Sequence, residues 1–184
     1  MPGVASAVEP LPREQIAFED PFTGFRFPAA IGAYKFAGQA QFPRVQLGYG
    51  VNYVDNTGAK VSIAIYDMNF TDIPDGTADP RVLDEFQQIE AGIAGMAKQG
   101  GFRSAARNES LPALSKAWLQ VNHELVDGRG ARVQTYSFIR GQSRKFVKIR
   151  VTTASQGTYA RLPTFLLGVS RAIGMLKDSP VNSP

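Results

Sequence analysis

From Val45 to Tyr53 the odd-numbered residues Val45, Leu47, Tyr49, Val51 and Tyr53 are apolar, and the even-numbered ones are Gln46, Gly48, Gly50 and Asn52. A period of two means a β-strand with one buried face, because successive side chains point to opposite sides of the pleat. Asp55-Asn56-Thr57-Gly58 follows, with Gly where a hairpin loop wants positive φ, and Val61, Ile63 and Ile65 resume the alternation. A three-residue loop, Asn56 to Gly58, sets Tyr53 opposite Val61 and Val51 opposite Ile63 on one buried face. It puts Gly48 opposite Tyr66 and Gly50 opposite Ala64 on the other, where an aromatic ring over strand glycines is a known packing device.

The remaining elements follow from local signals. Residues 1–17 read as a flexible lead-in, 18–176 as a single domain and 177–184 as a polar tail, since no repeat or linker divides the 184 residues. Phe25-Arg26-Phe27-Pro28 is a short edge strand, confined there by its proline. Asp79-Pro80 offers a side-chain cap and a proline in the first turn, and Leu83, Phe86, Ile89, Ile93 and Met96 recur at helical spacing down to Gly100-Gly101. Gly92 and Gly95 inside that helix are expected to let it approach the sheet closely. Four strands over 102–110, 116–126, 131–140 and 145–153 form a meander, and Leu162-Pro163 opens a second helix with Phe165, Leu166, Val169 and Ile173 as its stripe.

A two-residue turn at Gly128 and Arg129 pairs Leu125 with Arg132, His123 with Gln134, Val121 with Tyr136 and Leu119 with Phe138. The next turn pairs Phe138 with Val147 and Tyr136 with Ile149. One face then carries Leu119, Val121, Tyr136, Phe138, Val147, Ile149 and Val151. The reverse face gathers Trp118, Ile139 and Phe146 at one end, and Gln120, Asn122, Thr135, Ser137, Lys148 and Arg150 in the middle. A helix over the apolar end leaves the polar cluster accessible.

Apolar rows on both faces require cover on both sides. The fold class is therefore α+β, a mostly antiparallel sheet of six to seven strands flanked by helices on both faces, in the order βββ-α-ββββ-α. With Gly24-Phe25-Arg26-Phe27-Pro28 opening the domain, a glycine-bearing hairpin, a long helix, a meander and a final helix, the chain resembles the PsbP/Mog1-like family of α/β/α sandwiches over residues 18–176. The resemblance implies a non-catalytic binding module, which different members use on photosynthetic assemblies or on a small GTPase. No partner-contact residue carries over, only the architecture.

The absent residue types exclude several chemistries. With no cysteine there is neither a disulfide, a thiolate metal site nor a cysteine nucleophile, and one histidine cannot build a multi-histidine site. His123-Glu124 begins like a zinc-protease motif without its second histidine and lies in a strand pattern. Gly168-Val169-Ser170-Arg171-Ala172 lacks the second glycine of a nucleophile elbow and sits in a helical stripe. The acidic run Asp67, Asp72, Asp75 and Asp79 fails the calcium-loop pattern, which needs Gly at the position of Asp72 and Glu at that of Ala78. No phosphate loop or dinucleotide fingerprint is present, and no metal or cofactor is expected.

Charge is unevenly distributed, with a net −5 over residues 1–99 and +9 over 100–184. Pairing of the two halves within one domain accounts for this more simply than nucleic-acid binding. Arg129 and Arg132 fall at one end of the meander, and Arg140, Arg144 and Lys145 at the other. No stretch approaches the roughly 20 apolar residues of a membrane helix. Ala5-Ser6-Ala7 is similar to the end of an export signal, which points to an exported protein, with a cytoplasmic one as the alternative.

These readings favour a binding or protein-interaction module for an unknown protein or a small polar or anionic ligand. Its candidate residues are Gln120, Asn122, Thr135, Ser137, Lys148 and Arg150. The alternatives are a small enzyme using Lys148, Arg150 or Glu124 in a cleft on the sheet, and a polyanion-binding domain.

Overall fold

The computed structural model describes residues 15–44 and 47–176. Strands β1 (Ile16–Glu19) and β2 (Arg26–Pro28) form a two-stranded ribbon. Strands β3 (Ala30–Ile31), β4 (Tyr34–Gln41), β5 (Tyr49–Val54) and β6 (Lys60–Tyr66) precede helix α1 (Pro80–Lys98). Strands β7 (Ser104–Arg107), β8 (Leu119–Val126), β9 (Arg132–Gln142) and β10 (Lys145–Thr153) follow it, and a 3-10 turn (Gln156–Arg161) leads into helix α2 (Leu162–Ala172). The main sheet has eight strands in the order β3-β4-β5-β6-β10-β9-β8-β7, every pair antiparallel. The α+β class and the antiparallel sheet are as the sequence predicts.

The strand count before α1 is six rather than three. β3 and β4 escape sequence reading because Tyr34–Gln41 is mostly Gly, Ala and Gln and its ladder is broken by an irregularity between Phe36 and Gly38. β1 takes in Ile16 and Ala17, so the predicted lead-in is structured at its end, whereas Ala5-Ser6-Ala7 and the tail from Lys177 lie outside the described residues.

The β5–β6 hairpin has the predicted register, with Tyr53 opposite Val61, Val51 opposite Ile63 and Gly50 opposite Ala64. Asp55 closes its loop, accepting hydrogen bonds from the Thr57 and Ala59 amides at 2.9 Å each. The strand begins at Tyr49 rather than Val45, because Gly48 turns the chain at φ +66°. A Cβ there would stand 1.8 Å from the Ile65 carbonyl oxygen, so only glycine fits. The ring above Gly50 is that of Phe42, whose Cζ lies 3.2 Å from the Cβ position of that glycine.

Strand parity sorts the core into two clusters. On one face Tyr49, Val51, Tyr53, Val61, Ile63, Ile65, Tyr136, Phe138, Val147, Ile149 and Val151 pack beneath Leu162, Phe165, Leu166 and Val169 of α2, with Phe25 and Phe27 beside them. On the other, Val121, Leu125, Ile139 and Phe146 meet Val82, Ile89 and Ile93 of α1. The helices thus lie on opposite faces, although α1 packs mostly against β7, β8 and β9, meeting β6 through Tyr66 and β10 through Phe146, and covers one end of its side. Asp79 caps α1 by accepting from the Arg81 amide at 2.9 Å, as its sequence foretells.

The β8–β9 register differs from expectation by one residue: Leu125 faces Val133, His123 faces Thr135, Val121 faces Ser137 and Leu119 faces Ile139. The connection is longer than a two-residue turn, because Asp127 accepts from the Arg129 and Ala131 amides and its own amide donates to the Ala131 carbonyl. A one-residue slip moves every side chain of β8 to the other face. Leu119 and Val121 therefore belong to the α1 side, and Trp118 joins the α2 side. In the next hairpin, Phe138 faces Ile149 and Tyr136 faces Val151, a slip of two that preserves the faces.

The glycine expectation is also corrected. A Cβ on Gly92 or Gly95 would meet nothing within 4 Å. The close approach belongs to Gly168 in α2, where a Cβ would stand 2.3 Å from Cγ2 of Ile31.

Candidate functional site

With α1 confined to the β7 end, the same face of β5, β6 and β10 lies beside it without a helix above. Gly50 and Asn52 on β5 stand opposite Ala64 and Ser62 on β6, which stand opposite Lys148 and Arg150 on β10. Small residues in the middle strand make a depression, and taller side chains wall it. The result is a cleft of about 410 Å³ lined by Ser62, Ala64, Tyr66, Lys148 and Arg150, with Phe42, Leu47 and Met68 at one side and Glu85 of α1 at the other. A second hollow of about 370 Å³, lined in part by Asn52, Lys60 and Thr152, shares Ser62 and Arg150 with the first. Arg150 therefore stands between the two.

The cleft is largely apolar, yet two cations stand in it. Lys148 Nζ lies 5.0 Å from the centroid of the Tyr66 ring. The Tyr66 hydroxyl donates to Glu85 Oε1 at 2.6 Å, which fixes the ring beneath the amine. Neither Lys148 nor Arg150 has a hydrogen bond or an ion pair among the described residues. Burial holds Lys148 below the ordinary lysine value; Glu85 opposes that shift and Arg150 adds to it. Burial likewise lowers Arg150. Two half-buried cations stand beside a single lining carboxylate, Glu85, and an anion between them would balance the remaining charge.

Beside Arg150, toward α1, the surface becomes buried and stays polar. Ser137 is the ladder partner of Arg150, and Thr135 is the partner of both Thr152 and His123. Ser137 is 1% exposed, Thr135 2% and His123 4%. Ser137 Oγ, Thr135 Oγ1 and His123 Nδ1 have no hydrogen-bond partner among the described residues. Burial holds the His123 imidazole below its ordinary value; Glu90 opposes this, and Arg107 and Arg150 reinforce it.

Of the predicted site residues, Thr135, Ser137, Lys148 and Arg150 share this face, and Gln120 and Asn122 do not. The one-residue slip places the latter pair on the α2 side, where the Gln120 amide donates to Asn122 Oδ1 at 3.1 Å and Gln120 Oε1 accepts from the Leu114 amide at 2.8 Å. Those bonds fasten the 108–118 segment to the sheet. Glu124 is also on the α2 side, held by Gln134 at 2.9 Å and Arg132 at 3.1 Å, so it shares no cleft with Lys148 and Arg150. Sequence reading missed Ser62, Tyr66, Glu85, Phe42, Leu47 and Met68. Ser62, Ala64 and Gly50 left a legible signal as small residues in line on one face. Leu47 left a misleading one, since the turn at Gly48 breaks the alternation that would bury it.

The charged loops have local partners. Lys145 binds Asp67 at 2.5 Å, Arg81 bridges Asp72 and Asp79 at 2.6 and 2.8 Å, and Asp75 accepts from the Ser143 amide at 2.7 Å. Arg161–Asp55 at 2.7 Å and Arg107–Glu90 at 2.8 Å join the basic half of the chain to the acidic half. No cluster of three or more metal-ligating side chains occurs among the described residues, and no helix there is long and apolar enough to cross a membrane.

No protein-family model, no curated protein and no solved structure matches the chain.

Proposed function

We propose that this protein is a non-catalytic binding module that holds a small amphipathic anion in the cleft beside α1. The observation that carries the reading is the pair of half-buried cations, Lys148 and Arg150, lining a largely apolar hollow whose one lining carboxylate, Glu85, already accepts from the Tyr66 hydroxyl. The cations attract the charged group, and Phe42, Leu47, Ala64 and Met68 shed water onto an apolar one. The resemblance to the PsbP/Mog1-like family supports binding over turnover in the same way. Glu124 does not line this cleft, so of the residues named for the enzyme alternative only Lys148 and Arg150 stand in it.

The test is a titration of the ¹⁵N-labelled protein with 1-naphthalenesulfonate, followed by NMR. Amide shifts should concentrate at Ser62, Ala64, Lys148 and Arg150, and should vanish in the folded Lys148→Gln/Arg150→Gln variant. Shifts scattered over the surface, or unchanged in the double variant, would reject the reading.

A further inference from the structure

The two hollows hold one row of cations. Lys148 and Arg150, two residues apart on β10, share a face, and Arg150 stands opposite Ser62 on β6. Lys60 is two residues from Ser62 on β6, so it lies on that same face, diagonal to Arg150. Lys148 lines the first hollow and Lys60 the second, while Arg150 and Ser62 line both. Residues two apart on a strand are separated by about 7 Å and diagonal neighbours across a ladder by about 7–8 Å, so the three cations follow one another at nearly even steps. Lys60 is exposed and, like the other two, has no hydrogen bond or ion pair among the described residues. Among those residues Glu85 is the one carboxylate lining either hollow, and it lines only the one with Lys148. Three cations against one carboxylate leave two positive charges unmatched. Repulsion along the row is relieved most when an anion sits between each neighbouring pair, which gives two anion positions about 7 Å apart. The Arg150 guanidinium can serve both, because its donors fan out in a plane.

Resting on the binding function proposed above, we infer that the ligand is an elongated dianion, with its two charged groups at opposite ends of a short apolar body. One group lies between Lys148 and Arg150 in the first hollow, and the other between Arg150 and Lys60 in the second. The apolar flank lies against Ala64 and Phe42. Lys60 is thus a binding residue that acts only on ligands carrying the second charge.

Calorimetric titration of the full chain with 1-naphthalenesulfonate and 1,5-naphthalenedisulfonate tests this, with 1,8-naphthalenedisulfonate as the isomer that carries both charges side by side. The 1,5-isomer should bind at least tenfold more tightly than the monosulfonate or the 1,8-isomer. Lys60→Gln should weaken the 1,5-isomer fivefold or more and leave monosulfonate affinity unchanged. Lys116→Gln, which removes an exposed charge outside both hollows, should alter neither. Equal affinity for the monosulfonate and the 1,5-isomer, equal affinity for the two disulfonates, or a 1,5-isomer affinity that Lys60→Gln leaves intact overturns the dianion assignment, while the binding function stands on the monosulfonate. If none of the three probes binds the wild type, the binding function itself fails.

Discussion

Replacing Gly92 and Gly168 by alanine, one at a time, should change stability in opposite directions, although both glycines lie inside helices. Gly92 is exposed in α1, and an added methyl would meet nothing within 4 Å. The substitution therefore gains helix propensity alone, about 0.5–1 kcal/mol. For a chain of this size each kcal/mol moves the melting temperature by about 2–4 °C, so the expected rise is roughly 1–4 °C. At Gly168 the same methyl would stand 2.3 Å from Ile31 Cγ2, 3.4 Å from its Cβ and 3.6 Å from its Cγ1. Ordinary carbon contacts are about 3.5–4.0 Å, so α2 or β3 must retreat by more than about 1 Å. Ile31 is 4% exposed and β-branched, which leaves it little room to swing aside. Overpacking of this kind costs about 1–3 kcal/mol, which set against the propensity gain of about 0.5–1 kcal/mol leaves a net loss of up to about 2.5 kcal/mol. Calorimetry or denaturant melts of the two variants measure both signs. A Gly168→Ala protein as stable as the wild type, or a Gly92→Ala protein less stable, would refute the assignment of close packing to α2 and open space to the inner turns of α1.

Two further perturbations probe the electrostatics. Burial raises Asp55, but the Thr57 hydroxyl, the Ala59 and Thr57 amides and Arg161 outweigh it and hold the carboxyl below its ordinary value. A carboxylate lowered on folding adds stability above the unfolded value of 3.8, and that stability is lost as pH falls through the folded value. Asp55→Asn should therefore show a flatter decline below about pH 4 in urea melts, and Asp55→Ala should cost about 3 kcal/mol at neutral pH through loss of a buried partner. Equal acid sensitivity of Asp55→Asn and the wild type would contradict this. Lys148 gives the reverse case. Its amine is lowered in the fold, so the charged form is penalised at neutral pH, and the penalty is relieved as pH rises through the folded value toward 10.5. Lys148→Met should be more stable than the wild type at pH 7, with the gap closing by about pH 10.5; a gap that widens with pH would show the reasoning wrong.

Much of the architecture follows from short stretches of sequence. The alternation of Val51, Tyr53, Val61, Ile63 and Ile65 names one buried face, Asp55 to Gly58 sets a hairpin whose pairing is as expected, and Asp79-Pro80 starts α1. Each of these signals acts between residues a few positions apart, through side-chain alternation, loop geometry or a cap. The apolar rows on both faces of β9 and β10 likewise announce two layers of cover, and Lys148 and Arg150 stand out as cations in the interior of an otherwise half-apolar strand. The sheet edge at β3 and β4 was not legible, because a short, glycine-bearing edge strand buries too few side chains to leave a period.

The faces of β8 and the place of the cleft were settled only by the tertiary structure. Gly128 and Arg129 suit a tight turn, but the connection closed by Asp127 and Ala131 moves the register by one residue, carrying Gln120 and Asn122 away from Arg150 and bringing His123 beside Thr135. Parity magnifies one residue of loop into a change of face for an entire strand. Which half of the second face stays open depends on where α1 comes to rest, and the stripe of α1 specifies that something covers it without specifying what. Sequence alone determined which side chains need burial. The fold decided on which face of the sheet each polar one among them lies and which two cations line the hollow.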